Sequence, residues 1–227
     1  MAVKQDGAKS IRSLSKGRAG RLPLVGGRLC LNFVNTSSGR GTPARKEHLT
    51  SYHDLLAWSH HAGALDATVT LALAALAGRQ AQAARRTLSK AIKLRESLFA
   101  IVTGLARRQP PAPAALEELN GFLAASYRAA CLAQDGHGFR WIWRLDTLRL
   151  DLPVWIIARS ASEVLTGEPL ERLKSCAGLD CGWVFLDATR NGRRRWCEME
   201  VCGSRAKMRR YRHRHQSRAA RISTAHA

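Results

Sequence analysis

Acidic residues are in short supply: 17 Asp and Glu stand against 37 Lys and Arg in 227 residues, a formal net charge of +20 at pH 7. The shortage is uneven. Residues 1–50 carry 10 basic and 2 acidic side chains, residues 51–170 carry 13 and 10, and residues 171–227 carry 14 and 5, giving +8, +3 and +9. A near-neutral middle between two basic ends suits a polyanion partner, and nucleic acid is the commonest one. Long hydrophobic runs are also missing. The richest, ALDATVTLALAALAG, is full of Ala and Thr and too short to span a bilayer. The first 22 residues are basic but have no apolar stretch of the kind a secretory signal needs. Both absences predict a cytosolic location, where thiols stay reduced and disulfides are rare. The middle of the chain has no Gly-rich phosphate loop, no H-E-x-x-H and no nucleophile elbow, so a non-enzymatic role is expected. Internal repeats are absent too.

What is present is a core-forming composition, 45% apolar, in a chain long enough for one domain and a small module. Residues 1–21 read as a flexible basic arm. VGGRLCLNFVNTSS places an apolar run between a Gly pair and a turn, and fits either a short strand or the first turn of a helix. Ser51 and Asp54 have capping-box spacing, Gly63 supplies a stop, and Asp66 can cap an Ala-rich helix running to about Gly78. Residues 80–107 predict a long amphipathic helix with Leu88, Ile92, Leu98, Ile101 and Leu105 on one side. Clustered prolines in RRQPPAPAA end it, and another helix follows over roughly 114–132. The alternation of Phe139, Trp141 and Trp143 suggests a strand, and Pro153 suits the first turn of a last helix closed by Gly167. The expected fold is mainly α: a helical domain over residues 22–167 with a short strand or two.

Two of the six cysteines, Cys30 and Cys131, sit in apolar runs and read as buried thiols. The others, Cys176, Cys181, Cys197 and Cys202, form two C-x4-C pairs separated by fifteen residues. Paired thiolates on two short knuckles meet the needs of tetrahedral zinc, and four of them fill its coordination sphere. One structural Zn2+ per chain is therefore expected, with no open position for substrate. Between the pairs, Trp183–Leu186 reads as a strand, Asn191-Gly192 as a turn, and the residues up to Trp196 as a return strand. A knuckle, a β-hairpin, a second knuckle and a helix from about Cys202 make a treble-clef-like module over residues 168–216, followed by a disordered tail at 217–227. Such a unit has little core of its own, so metal supplies much of its folding free energy, and the helical domain is expected to stand independently of it.

The helix after Cys202 carries Arg205, Arg209 and Arg212 at i, i+4 and i+7, with Lys207, Arg210 and Arg214 on an adjoining face. Met208 and Tyr211 are expected to pack inward, and His213 and His215 to be solvated. Arg193, Arg194 and Arg195 add a second basic patch. Clustered guanidiniums repel one another, which makes sense beside an anionic partner. The helix suits a DNA major groove. Basic zinc modules also serve RNA or ribosomes, whose readers usually display stacking aromatics, and Tyr211 is the candidate here.

The stretch RLKSCAGLDCGWVFLDATRNGRRRWCEMEVCGSRAKMRRYR resembles the CGNR zinc finger, and GGRLCLNFVNT with HLTSYHDLLAWSHHAGAL is similar to the ABATE domain that commonly precedes it. The resemblance covers nearly the whole chain after residue 22. It implies a bacterial, stress-induced transcription regulator whose finger binds DNA, with a helical sensor or dimerisation domain. All four cysteines match the finger's ligands. Two positions depart from the pattern: Ser204 replaces the Asn of the tetrapeptide, and Asn32 stands where an acidic residue is usual. Asn32 and Asn35 are candidate contacts for a small-molecule effector, or else tie down backbone. A homodimer is a further expectation.

Overall fold

A computed structural model describes residues 17–143 and 148–224 of the chain, with side chains as far as Gln216. A 3-10 turn at Ala19–Arg21 is followed by helix α1 (Leu29–Val34) and a minimal ribbon of β1 (Ser37–Ser38) and β2 (Lys46–Glu47). Helices α2 (Tyr52–His61), α3 (Ala67–Arg79), α4 (Ala81–Ala106) and α5 (Pro113–Ala129) come next. An antiparallel hairpin of β3 (Ala130–Asp135) and β4 (Gly138–Trp143) leads to helix α6 (Leu152–Gly167). The C-terminal part holds β5 (Leu173–Ser175), β6 (Val184–Leu186), a wide π-type turn (Met199–Gly203) and helix α7 (Ser204–Thr224). The architecture is mainly α with short strands, as expected.

Several helix boundaries follow from local chemistry. Ser51 Oγ accepts from the Asp54 N–H at 3.1 Å while Asp54 Oδ2 accepts from the Ser51 N–H at 2.8 Å, a reciprocal capping box that starts α2. Asp66 Oδ1 accepts from the Val69 N–H at 2.8 Å and starts α3. Helix α4 ends in a Schellman pattern, with Gln109 N–H donating to Gly104 O and Arg108 N–H to Leu105 O, both at 2.9 Å. That pattern puts Arg108 at φ 59°, the left-handed region where glycine is usual. The undecided run LCLNFV is a helix.

Three differences from the sequence reading have clear causes. Helix α5 stops at Ala129, short of 132, because residues 130–135 become the partner of β4, with Ala130 opposite Trp143 and Leu132 opposite Trp141. Trp143 then stacks on Trp155 at 6.2 Å and docks the hairpin to the core. The buried stripe of α4 is also displaced. Leu98 and Ile101 lie in it, but Leu88, Ile92 and Leu105 flank it, and its centre is taken by Ala91, Leu94 and Arg95. A charged residue in mid-stripe hides the face from a hydrophobicity reading. Finally, residues 19–21 do not belong to a free arm: Ala19 is 1% exposed and packs on α2, and His61 Nε2 bonds Leu22 O at 2.8 Å. The rest of the expected arm, up to residue 16, lies outside the described residues. At the other end, helix α7 runs on to Thr224 through much of the expected disordered tail, and residues 225–227 lie outside the description.

A large hydrophobic core joins the helices. It gathers Phe33 and Val34 from α1, Leu55 and Trp58 from α2, Leu94 and Leu98 from α4, and Ile157 and Ala161 from α6, with the Phe33 and Trp58 rings 5.2 Å apart. Leu173, Val184 and Leu186 of the C-terminal module belong to the same cluster. Strand alternation explains this. Val184 and Leu186 face the helices, while Phe185 between them faces the other way, into a small cluster with Cys197 and Cys202. A single strand thus serves two cores.

Candidate metal centre and nucleic-acid interface

Strands β5 and β6 pair antiparallel, with Leu173 opposite Leu186 and Ser175 opposite Val184, and carry the first knuckle at their tip. The expected return strand up to Trp196 does not form. β6 has its edge against β5, and residues 193–196 run as an irregular segment touching the knuckle through Ala177 N–H to Arg195 O at 2.9 Å. The Asn191-Gly192 turn is real, with Gly192 at φ +61°.

Cys176, Cys181, Cys197 and Cys202 converge with their four sulfurs within 4.8 Å of one another. Cys181 and Cys197 Sγ are 3.5 Å apart, and Cys197 and Cys202 Sγ 3.6 Å. A disulfide needs about 2.05 Å, whereas four sulfurs at about 2.3 Å from one tetrahedral zinc lie about 3.8 Å apart. The backbone supports that use, since the N–H groups of Gly178 and Cys197 donate to Cys176 Sγ at 3.4 and 3.3 Å. A Cβ at position 178 would sit 3.3 Å from Cys202 Sγ and 3.2 Å from Cys181 Cβ, so the knuckle closes tightest on a glycine. The second pair is shaped by the π turn, where Gly203 N–H reaches back to Glu198 O at 3.2 Å and brings Cys202 under Cys197.

Hydrogen bonds from Cys181 and Cys197 pull the Cys176 thiol down to about 2, bonding to Cys176 pushes Cys181 up to about 12 and raises Cys197, and burial raises Cys202. A coordinated divalent cation reverses that ordering, because each ligand thiol is deprotonated. The donor set fits one structural Zn2+ per chain, which supplies folding free energy and offers no open coordination position.

The helical domain grips this module directly. Asn35, buried in α1's C-terminal turn, donates from Nδ2 to Val184 O at 2.9 Å and accepts from Val184 N–H at 2.8 Å through Oδ1. Its amide acts like the peptide group of a neighbouring strand on the free edge of β6. Gly39 N–H donates to Cys181 O and Leu186 N–H to Gly26 O, both at 2.9 Å. Gly182 follows at φ +69°, and a Cβ there would meet Arg40 Cβ at 2.8 Å. The loop carrying Gly39 is anchored by charge. Arg95, 0% exposed, donates to Glu47 Oε1 and Oε2 at 2.6 and 2.5 Å, and Arg40 pairs with Glu96 and lies 4.2 Å over the Phe99 ring. The effector assignment for the two asparagines is therefore corrected. Asn35 donates one Nδ2 hydrogen to Val184 O and accepts from Val184 N–H, and Asn32 Oδ1 accepts from Gly26 N–H at 2.7 Å. Both serve backbone.

Of the basic residues, Arg193 and Arg195 are exposed, the latter 5.2 Å over the Trp196 ring. Arg194 is not available in the same way. Its guanidinium lies 4.2 Å over Phe185 and donates to Trp196 O at 3.0 Å, Val25 O at 3.1 Å and Cys197 O. This residue is a clamp on the zinc turn, which corrects its place in the contact set. On α7, Arg205, Lys207, Arg210, Arg212 and Arg214 are exposed and Arg209 is half-buried. Met208 and Tyr211 point outward, 51% and 57% exposed among the described residues, contrary to expectation. Arg205 and Arg209 line a cleft of about 450 Å³ beside the cysteines. A larger cavity of about 690 Å³ lies between α4, α5 and α6, with Trp155, Phe122, Arg128 and Arg149 in its walls.

Among the described residues, no helix is long and apolar enough to cross a membrane. A comparison with curated proteins finds no match. Family models do match. Residues 172–215 fit the CGNR zinc finger, and residues 27–168 fit ABATE, described as "Putative stress-induced transcription regulator". With that match covering more than half of its length and the cysteine centre following it, the chain belongs to the ABATE family and carries a CGNR zinc finger at its C-terminal end.

Proposed function

We propose that the protein binds DNA and regulates transcription, with the finger as reader and the helical domain as sensor or dimerisation unit. One observation carries this reading: Arg205, Arg209 and Arg212 form a row on a helix that springs from the cysteine-held turn and is mostly exposed as far as Gln216. A major groove admits such a helix, and a rigid base fixes its angle of entry. Lys207, Arg210 and Arg214 on the adjoining face, with Arg193 and Arg195 nearby, suit phosphate contacts. Binding rather than catalysis is the role, since four thiolates complete zinc's coordination. The cavity between α4, α5 and α6 is where an effector would enter.

Selection from a random duplex library, followed by affinity on the enriched and scrambled sequences, tests this. Enrichment is expected, with single-residue losses of about 1–3 kcal/mol confined to one base position for at least one of Arg205 and Arg209. Unchanged binding in an Arg205→Ala, Arg209→Ala, Arg212→Ala variant that still holds zinc refutes the reading. A single feature favours RNA instead: the outward Tyr211 ring, 4.2 Å from His215, offers a stacking surface. The same selection run on an RNA library decides between them.

A further inference from the structure

The cleft beside the cysteine centre is built by both parts of the chain. Arg205 and Arg209, one turn apart on α7, form one wall; Arg18 and Arg21 at the N-terminal 3-10 turn and Lys46 of β2 form the other. Four of these five are exposed and Arg209 is half-buried. Among the described residues none of the five is in an ion pair, whereas Arg40, Lys90, Lys93, Arg95 and Arg140 each face a carboxylate. Two acidic residues, Asp180 and Glu198, also line the cleft, so five positive and two negative side chains leave +3, and Zn2+ with its four thiolates, at −2, brings the balance beside the metal centre to +1. Cations gathered around one cleft repel one another, and bonds between the two parts of the chain oppose their separation. Gly39 N–H to Cys181 O at 2.9 Å and the double bond of Asn35 to Val184 hold the two sides together.

We propose that this cleft is a phosphodiester site, in which one strand of a DNA backbone lies between the ABATE domain and the finger helix. Arg18, Arg21 and Lys46 contact it from the helical domain, and one of Arg205 and Arg209 from the finger helix, while the other reaches on to a base edge. The inference rests on the DNA-binding reading and extends it to residues of the helical domain.

The test is affinity for a labelled random-sequence duplex as a function of salt. Each phosphate contact contributes about 0.9 to the slope of log K against log salt. Arg18→Ala, Arg21→Ala, Lys46→Ala combined should lower the slope by about 2.7, so that the affinity lost between about 50 and 200 mM salt shrinks roughly 40-fold. A charge-matched control, Arg79→Ala, Arg85→Ala, Arg86→Ala, removes three exposed cations from the far helices and should change the slope by less than about 1. Arg18→Lys, Arg21→Lys keeps the charge and should keep the slope, which separates lost contacts from lost folding. Equal falls in the cleft and control variants overturn the site in favour of a diffuse field. A normal slope in the cleft variant, with a reduced one in Arg205→Ala, Arg209→Ala, overturns it while leaving the finger as the DNA reader. Wild-type protein with no salt-dependent DNA binding removes both readings.

Discussion

Replacing Asn35 by Leu tests how the finger is attached. The substitution keeps the branched shape and the number of side-chain heavy atoms but removes both partners of the Val184 peptide groups, which stay buried on the inner edge of β6. Each buried backbone group left without a partner costs about 1–3 kcal/mol, and the added apolar surface returns about 1 kcal/mol. A net loss of about 3 kcal/mol follows, equivalent to a fall of about 6–12 °C in Tm for a domain of this size. Because Val184 lies three residues after Cys181 and its strand continues from the knuckle, the loosened edge should also speed zinc release. Urea and thermal unfolding by circular dichroism give the first quantity, and transfer of zinc to a coloured chelator gives the second. Asn32→Ala, which removes a single bond to Gly26 N–H, should cost only about 1 kcal/mol. A loss below about 1 kcal/mol for Asn35→Leu, with zinc release unchanged, would refute the strand-like role of this amide.

Metal removal should destabilise the whole chain in one transition, because Leu173, Val184 and Leu186 belong to the helical core; two well-separated transitions after chelation would contradict this. Cys197→Ser or Cys202→Ser should each lower the zinc content of the purified protein. Arg194→Ala should cost about 1–3 kcal/mol and weaken zinc retention, whereas Arg193→Ala should leave stability alone and reduce only the DNA salt slope, by about 0.9. Burial works to raise the Glu47 carboxyl, but bonds from Arg95 and the Leu49 and His48 N–H groups outweigh it and hold it below its ordinary 4.5. Glu96 is likewise lowered, with Arg40 and Arg95 overcoming the effect of burial. Depressed folded-state values mean that this stabilisation is complete above the ordinary carboxylate range and is lost as pH falls through them, so urea midpoints should drop in acid and Glu47→Gln should flatten that drop. Arg108→Gly should stabilise by roughly 1 kcal/mol in the same melts, since glycine carries no penalty at φ 59°.

The ligand set of the metal centre was legible in the chain because it is a matter of spacing: two matched C-x4-C pairs fifteen residues apart suit one tetrahedral metal. The Ser51 and Asp66 caps and the extent of α4 were legible for a similar reason, as each depends on residues within a turn or two. Other features rest on partners far apart along the chain. Asn35 meets Val184 across 149 positions, and Arg194 reaches Val25 across 169. No local pattern distinguishes an amide that completes a strand from one that awaits a ligand, or a clamping arginine from its solvated neighbours at 193 and 195. The same holds for β6, whose apolar run announced a strand but not which side would pair with it. By itself the sequence determined the composition of the zinc site and of the basic helix. Only the tertiary structure decided that the finger shares a core with the helical domain, because burial on both faces of one strand depends on what each face meets.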